Sequence, residues 1–478
     1  MKSFDGNGRR WRTLGPVVVV LLLAGGCYGV EDYVPLPPSG DGGDAAVVVP
    51  PPPGCDPAAD PKDAPLCVVD AFGLFVDPAS GDDKNDGARA TPLKTLGAAI
   101  ATRTGKPRIY LCEGVAPESV KLNAPVSIFG GFRCNDWSYS GVRTTVGSPE
   151  GGYALEIDRV GAPLTIADVT FTSAPGSIDR RTSIAAFVHG CSRVELRRVE
   201  LIAKAGFGGL SPARAAPGSA CQFQAQPGGG GSGGAPGACT CEGGAKSSGG
   251  GGGTFGGAMG QAGTPVRVQP VPGGATGAGG AASSPGKRGS DGPVGGPGRG
   301  AKCRGTLWPT GWAPCDGTPG SLAGAGQGGG GGGGSSLGGG GGGGGGGCGG
   351  QGGAAGGGGG GSIAVASVDS ALFLVSSKLA SDAGGAGGEG AAGGPGGGSG
   401  AGGSGYPYLM ENPGGDGGSG GEGGPGGSGA GGVSAGVVWN GVPPNILQTT
   451  IVTGAAGAAG LGVNPGIGGL SIDVLPPE

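Results

Sequence analysis

The sequence predicts an all-β fold in which coils of short parallel strands stack on one another, a parallel β-helix. The main observation is a strand pattern at residues 164–171 and again at 194–201, with aliphatic side chains spaced by two, three and two positions. Side chains alternate between the faces of a strand, so this spacing indicates two strands joined at a corner. Variants return at 372–379 and 445–452, and such copies can stack in register. A β-sandwich with four similar strands is the alternative, but it does not require copies.

Glycine is the second observation, since it accounts for 128 of the 478 residues while only 5% are aromatic. It concentrates at 206–361 and 384–432, the first and second glycine-rich segments, which have few side chains that can form a core. We interpret both as insertions that project from one edge of the stack. No strict glycine triplet is evident, so we expect independent loops. The alternative is a bundle of extended helices with three residues per turn, whose crowded interior admits only glycine.

These features divide the chain into consecutive parts. The predicted order is a signal segment at 1–27, a tether rich in proline and glycine at 28–70, the N-terminal part of the stack at 71–205, a glycine-rich insertion at 206–361, one coil at 362–383, a second insertion at 384–432 and the C-terminal coils at 433–478. A tether of this composition favours extended conformations.

The first 27 residues have the features of a targeting segment. Three arginines at 9–12 precede an apolar run at 17–23, and Leu-Ala-Gly-Gly leads directly to Cys27. This resembles a bacterial lipoprotein signal, which implies that Cys27 carries lipid and anchors the chain to a membrane. By the same resemblance, Tyr28 after the cysteine favours the outer membrane. An ordinary secretory signal or short anchor is the alternative, although the apolar run is shorter than the about 20 residues that span a bilayer.

Twelve cysteines in an exported protein indicate disulfides. Proximity in the sequence suggests three pairs: Cys55 with Cys67, Cys112 with Cys134, and Cys303 with Cys315. The others remain unassigned: Cys191, Cys221, Cys239, Cys241 and Cys348. No metal site is expected, because the Cys239-Thr-Cys241 motif lacks a second ligand pair at zinc spacing and the only histidine, His189, lies in a strand-like stretch.

The folded part is predicted to begin near Phe72, with a strand at 74–77 and a turn-rich loop at 78–87. Thr91 followed by proline predicts the start of a short helix. Apolar residues repeat at helical spacing over 93–100, and the face they form is suited to covering the open end of a stack.

This stretch resembles the N-terminal part of right-handed parallel β-helix proteins of the pectate-lyase-like superfamily. The resemblance covers about Phe72 to Ala205 and is carried by Val76-Asp77-Pro78, Gly81-Asp82, Asn85-Asp86-Gly87, Pro92-Leu-Lys-Thr-Leu96 and Ala99-Ile100. It implies a right-handed β-helix with an N-terminal capping helix. With its lipoprotein-like signal and glycine tracts, the chain also looks like bacterial proteins of unknown function that are compared with mycobacterial PE-PGRS proteins. That comparison rests on glycine content and implies no function.

An enzyme of this fold needs carboxylates clustered on the outer face of neighbouring coils. The candidates are acidic and basic residues near the repeated strands: Asp158, Asp168, Glu195, Glu200, Arg193, Arg197 and Arg198. Polar side chains alternate on any solvated strand face, and no catalytic motif of the superfamily is present. We therefore expect no catalytic, cofactor-binding or metal-binding residues. For the acidic loop at 82–86, calcium binding is the alternative to an Asx-rich turn, but its spacing departs from an EF-hand.

Taken together, the sequence predicts a lipid-anchored structural or adhesive protein of the bacterial cell envelope, at the cell surface or facing the periplasm, without catalytic activity or a cofactor. The expected partners are the membrane and a cell-surface polysaccharide or protein. Nucleic acid is not expected, because the basic residues are scattered and the net charge is −4. The alternative is a carbohydrate-active enzyme or glycan-binding module on the face of the coils, which a groove containing carboxylates and aromatic rings would favour.

Overall fold

The computed structural model describes residues 49–148, 150–221, 224–265, 276–406 and 412–477. The predicted signal segment, with Cys27, and residues 28–48 of the predicted tether lie outside the described residues. Within them the protein is all-β, because its three large sheets are parallel and the α-helical content is a single helix of seven residues.

Twelve described strands and the helix precede the first glycine-rich segment. In chain order they are β1 (Gly73–Val76), α1 (Leu96–Thr102), β2 (Arg108–Cys112), β3 (Val115–Ala116), β4 (Val120–Leu122), β5 (Ser127–Phe132), β6 (Thr144–Gly147), β7 (Leu155–Asp158), β8 (Leu164–Ala167), β9 (Val169–Thr172), β10 (Ser183–His189), β11 (Val194–Arg197) and β12 (Glu200–Ala203). Short 3-10 turns occur at Pro65–Cys67 and Glu242–Gly244.

Eleven further described strands follow, the first four of them inside the first glycine-rich segment. They are β13 (Ala238–Thr240), β14 (Lys246–Ser248), β15 (Gly305–Trp308), β16 (Gly311–Pro314), β17 (Ser362–Val368), β18 (Leu372–Val375), β19 (Lys378–Ser381), β20 (Ser434–Asn440), β21 (Asn445–Leu447), β22 (Thr450–Val452) and β23 (Ser471–Leu475). Two antiparallel pairs, β13 with β14 and β15 with β16, lie within the segment.

Three parallel sheets contain the other strands. Sheet I has the order β1-β2-β5-β8-β11-β18-β21, sheet II the order β4-β7-β10-β17-β20-β23, and sheet III the order β3-β6-β9-β12-β19-β22. From β7 onward the chain visits sheet II, sheet I and sheet III in rotation. One strand of each sheet therefore makes a coil, and each coil stacks on the one before it.

The repeated strand pattern pairs in the register that the sequence predicted. In sheet I, Leu196 pairs with Ile166 on one side and Leu374 on the other, and the row continues to Ile128 and Ile446. The four side chains Ile128, Ile166, Leu196 and Leu374 are fully buried. Burying a side chain of this size stabilises the fold by roughly 1.5–3 kcal/mol. Sandwich sheets are antiparallel, so the sandwich alternative is wrong.

Each coil turns two of its corners at residues with a left-handed backbone. Between sheets I and III, φ lies between 49° and 59° at four stacked corner residues: Asp168, Arg198, Ser376 and Gln448. Between sheets II and I, the equivalent residues are Arg159, Gly190, Asp369 and Gly441. A non-glycine residue in this conformation costs roughly 1–2 kcal/mol. The paired strands on both sides of the corner hold it there.

The N-terminal helix starts later than the sequence predicted. α1 begins at Leu96 and is capped by Thr95, whose side chain accepts a hydrogen bond from the amide of Ala98 at 3.1 Å. The prediction of a start at Thr91 is wrong, because Leu93 pairs with β1 instead and keeps the chain extended. The helix packs against β1 and β4, which are the first strands of sheets I and II.

The glycine-rich segments form extended strands that hydrogen-bond to one another. Every third amide over 385–406 donates to a carbonyl of 339–360 in antiparallel order. Every third amide over 341–359 likewise donates to 412–430 in parallel order. This interval is that of an extended helix with three residues per turn. The expectation of independent loops is therefore wrong. We call these hydrogen-bonded strands of both segments the glycine bundle.

A bundle strand has more glycines in each group of three residues when more of its sides pack against other strands. Residues 286–298, exposed on one side, have glycine at every third position, and most triplets of 384–397 have two glycines. The central run Gly338–Gly347 is uninterrupted. A Cβ at Gly341 would lie 1.9 Å from the carbonyl oxygen of Gly403, which no side chain tolerates. A three-residue repeat is therefore present. Its glycine content changes from strand to strand, so the repeat is not evident in the sequence.

The glycine bundle continues the hydrogen bonding of the coils. The pairing of 341–359 with 412–430 runs directly into that of β17 with β20, through the amide of Ser362 and the carbonyl of Val433 at 2.8 Å. The pairing of 206–221 with 383–398 follows that of β12 with β19 in the same way. The glycine bundle thus extends the stack sideways, and these bundle strands pair in the same order as the coil strands that they continue.

Candidate functional site

The acidic candidates on sheet I are held in ion pairs. Arg198, at a left-handed corner, donates to both carboxylate oxygens of Asp168 (2.9 and 2.6 Å) and to Asp60 Oδ2 (2.5 Å). Arg197 donates to Glu195 Oε1 at 2.8 Å. Burial by itself raises the pKa of Asp60, but the hydrogen bond and charge of Arg198 outweigh it, and the pKa is lowered. Each of these carboxylates therefore has an arginine partner.

An N-terminal strap, residues 55–72, packs on the same part of sheet I. Its own disulfide, Cys55–Cys67, closes it. Arg108 on β2 donates to two strap carbonyls at 2.6 and 3.1 Å, and the hydroxyl of Tyr110 donates to a third at 2.6 Å. Burial raises the pKa of Tyr110 to about 12. The strap therefore covers a face that a polysaccharide would need to reach.

The other acidic candidates are paired as well. Asp158 accepts hydrogen bonds from Arg159 at 3.0 Å and lies 3.2 Å from Nδ1 of His189. The hydrogen bond from Arg159 lowers the pKa of Asp158, with burial opposing it. Glu200 accepts a hydrogen bond from Lys378 at 2.7 Å. All four predicted carboxylates thus have a basic partner, and the two pairs on sheets II and III are separate from the network on sheet I.

The acidic loop at 82–86 uses its carboxylates to hold its own backbone. Asp83 accepts hydrogen bonds from two backbone amides just before α1, both at 2.9 Å. Asp86 accepts from the amide of Ala88 and from the hydroxyl of Thr91, and the latter hydrogen bond lowers the pKa of Asp86. This is the geometry of an Asx-rich turn.

The described cysteines form five disulfides. They are Cys55–Cys67, Cys112–Cys134, Cys221–Cys239, Cys241–Cys348 and Cys303–Cys315. The first, second and last are the pairs that proximity suggested. Asp77 lies within 4.8 Å of the sulfurs of Cys112 and Cys134, but metal binding needs thiolates and these sulfurs are bonded to each other. Cys191 is outside these bridges, and burial raises the pKa of its thiol.

A groove of about 760 Å³ lies beside the outer face of sheet II, and we call it the sheet II groove. Glu156 and Ile184 line it from the sheet itself. The loop before β10 contributes residues 179–182, and the hairpin of β15 and β16 contributes Trp312. The hairpin is positioned by Leu307, which packs with the outward-facing aliphatic side chains of sheet II.

The sheet II groove combines aromatic rings with charged groups of both signs. Tyr153 stacks on Phe187 with 4.8 Å between ring centroids, and its hydroxyl donates to a hairpin carbonyl at 3.1 Å. Asp179 and Arg180 are exposed on the loop. The indole N–H of Trp312 is buried and has no hydrogen-bond partner among the described residues. Such a combination can contact both the apolar faces and the hydroxyl groups of a sugar.

Other charges near this groove are already neutralised. Glu156 accepts a hydrogen bond from Lys121 at 2.7 Å. Arg181 donates to Asp316 at 3.2 Å and to the carbonyl of Gly358 at 2.7 Å. Arg181 therefore ties the loop to the glycine bundle, while Arg180 is exposed.

Sequence reasoning missed this groove because the hairpin lies inside the first glycine-rich segment. The available signal was the stretch 306–314, which has two tryptophans and a single glycine and is flanked by Cys303 and Cys315. Their disulfide joins the two ends of the hairpin. A short non-glycine stretch between two cysteines indicates a separately built element even within low-complexity sequence.

Among the described residues, none of the helices has the length and apolar character to cross a bilayer. No protein-family model matches the chain, and no curated protein matches it. Two solved structures of a GH136 lacto-N-biosidase from Eubacterium ramulus, the selenomethionine derivative and the native protein, are 16% and 15% identical to this chain. Each match covers 27% of both chains with a TM-score of 0.22. A score this low supports no inference about fold or activity.

Proposed function

We propose that this protein is a right-handed parallel β-helix lipoprotein, anchored through lipid on Cys27 at the outer membrane, where it acts as a structural or adhesive protein without catalytic activity. The observation that carries the proposal is the shared backbone hydrogen bonding of the coils and the glycine bundle. In such a network each strand restrains its neighbours, which suits a protein that must keep its form outside the cell. Five disulfides also suit an oxidising compartment.

The lack of catalytic activity is supported by the ion pairs of the acidic candidates. A general acid in glycoside hydrolysis needs a raised pKa, and its partner carboxylate must face the substrate. Asp60 and Asp158 have lowered pKa values, and Asp168 is buried against Arg198. Purified full-length protein is expected to release no reducing or unsaturated ends from acidic polysaccharides.

The anchor is tested by metabolic labelling with a palmitate analogue in a bacterial host. The wild-type chain should be labelled and recovered with the outer membrane, whereas Cys27→Ser should be unlabelled and released from it. Tyr28→Ala is the matched control, because it changes the neighbouring residue and leaves the thiol in place. Equal labelling of the wild type and Cys27→Ser would show that the anchor proposal is wrong.

The sheet II groove supports a second function, binding of a surface glycan. The aromatic ring of Trp312 can stack on a sugar face, and Arg180 can bind hydroxyl or carboxylate groups. On a glycan array, Trp312→Ala and Arg180→Ala should each lose most of the binding shown by the wild type. Trp308→Ala is the matched control, since that side chain is 55% exposed on the same hairpin and does not line the groove. Unchanged binding by both groove variants would place the glycan elsewhere.

A further inference from the structure

The end of the glycine bundle farthest from the coils is formed by tight turns. The central bundle strand leads into β17 at Ser362, and at about 3.1 Å per residue its far end lies roughly 70 Å away along the strand. The amides of Gly256 and Ser283 donate to carbonyls of 334–335 at 3.0 and 2.9 Å, which joins neighbouring turns. We call the four turns at this end the bundle tip: 229–232, 254–259, 281–284 and 335–338.

Three large apolar side chains are exposed on the bundle tip. Phe255 and Met259 belong to one turn and are 54% and 69% exposed, and Leu337 on the adjoining turn is 61% exposed. None of them belongs to a hydrophobic cluster of the described residues. The turns are held by backbone hydrogen bonds instead, such as that from the amide of Ser335 to the carbonyl of Gly338 at 2.8 Å. Folding therefore does not account for apolar residues at these positions.

The bundle tip is also uncharged. Its four turns contain glycine, alanine, serine and threonine besides the three apolar residues. The first charged residue after the 281–284 turn is Lys287, which is exposed. Three residues of an extended helix span about 9 Å, so Lys287 is attached a short distance behind the apolar side chains. Closer to the coils, charged residues of the bundle form pairs such as Arg214 with Glu422.

We propose that the bundle tip inserts into the surface of a lipid bilayer. Phe255, Met259 and Leu337 enter the boundary between headgroups and acyl chains, which apolar side chains of interfacial proteins reach at a depth of about 5–10 Å. Lys287 then lies at the level of the headgroup phosphates, where a basic residue is favourable. Amides of the bundle tip already hydrogen-bond between turns, so few backbone groups are desolvated without a partner.

Other partners fit the bundle tip less well. A stable protein interface covers about 800 Å² on each partner, whereas the tip offers three apolar side chains on separate points of narrow turns. A glycan is bound through charged or amide side chains, and the four turns contain none. A bilayer requires no complementary shape. The site is independent of the proposed anchor at Cys27 and gives the adhesive protein a second contact with lipid.

The test is sedimentation of the full chain with vesicles of phosphatidylcholine, with and without phosphatidylglycerol. Every variant carries Cys27→Ser, so that lipidation does not contribute. Phe255→Ser/Met259→Ser/Leu337→Ser should lower the partition coefficient at least about tenfold. The matched control should bind as before, because its residues are exposed but lie outside the bundle tip: Val294→Ser/Leu461→Ser/Val463→Ser. Lys287→Gln should weaken binding about fivefold, and only to vesicles that contain phosphatidylglycerol.

A second measurement reads the bundle tip directly, whatever else in the chain contacts lipid. The added fluorescence of Phe255→Trp should be quenched by brominated lipid, whereas that of Val294→Trp should not. Equal quenching at the two positions would overturn the proposal. So would a chain that binds no vesicles, a triple tip variant that binds them as well as the control does, or a tip that binds a soluble protein in place of lipid.

Discussion

Replacing Gly344 with alanine should disrupt the glycine bundle, with a loss of roughly 3–4 kcal/mol in the free energy of unfolding if three or four backbone hydrogen bonds of about 1 kcal/mol each are broken. The new Cβ would lie 2.1 Å from the carbonyl oxygen of Gly400. Because backbone surrounds this position, relief requires that whole strands move apart. The measurement is chemical denaturation combined with hydrogen exchange of the amides over 385–406 and 412–430, whose protection should fall.

Gly398→Ala is the matched control. It lies in the same bundle, and a Cβ there meets no atom within 4 Å. Where the backbone conformation permits it, this substitution stabilises by about 0.4–1 kcal/mol, because it restricts the unfolded chain. Equal effects of Gly344→Ala and Gly398→Ala would mean that the bundle strands are not packed against one another in solution.

Leu196→Asp should be at least as damaging to the coils. Leu196 is fully buried between Ile166 and Leu374. Removing a buried leucine side chain typically costs about 2–5 kcal/mol, and an unpaired carboxylate adds several kcal/mol unless it is protonated. Circular dichroism and protease resistance of the purified variant should both show loss of the folded coils.

The dependence on pH gives this prediction a specific signature. Burial raises the pKa of an introduced carboxyl group above its unfolded value of about 3.9. The stability deficit relative to wild type should therefore be largest above the folded pKa and shrink as the pH falls towards the unfolded value. Leu337→Asp, at a side chain that is 61% exposed, is the control and should have little effect at any pH. A similar deficit in both variants would contradict the buried aliphatic row.

The sequence predicted the stacked strands because their register depends on local aliphatic spacing. Leu196 and its neighbours follow the alternation of a strand, and that pattern can be read without tertiary information. The start of α1, in contrast, was predicted at Thr91 instead of Leu96. Thr91 is a good capping residue in isolation, but pairing of Leu93 with β1 keeps the chain extended until Thr95. Tertiary pairing overrides local propensity at such positions.

Less of the candidate site could be predicted from the sequence. Proximity suggested disulfides between cysteines that are close in sequence, whereas Cys241 and Cys348 are 107 residues apart and meet only because the glycine bundle brings their strands together. The sheet II groove needs Trp312 from the hairpin and Arg180 from a distant loop. Neither residue has a sequence pattern that specifies the other, so their juxtaposition is a property of the fold.

The interval of three in the glycine bundle also constrains the gene. Glycine codons all begin with two guanines, so the run Gly338–Gly347 is encoded by repetitive DNA, in which replication slippage adds or removes codons. One extra codon preserves the reading frame but rotates every later residue of that strand by a third of a turn. Amides that met carbonyls of 412–430 would then face a different neighbour. Changes of three codons restore the match, so length variants of this run should be inherited in multiples of three.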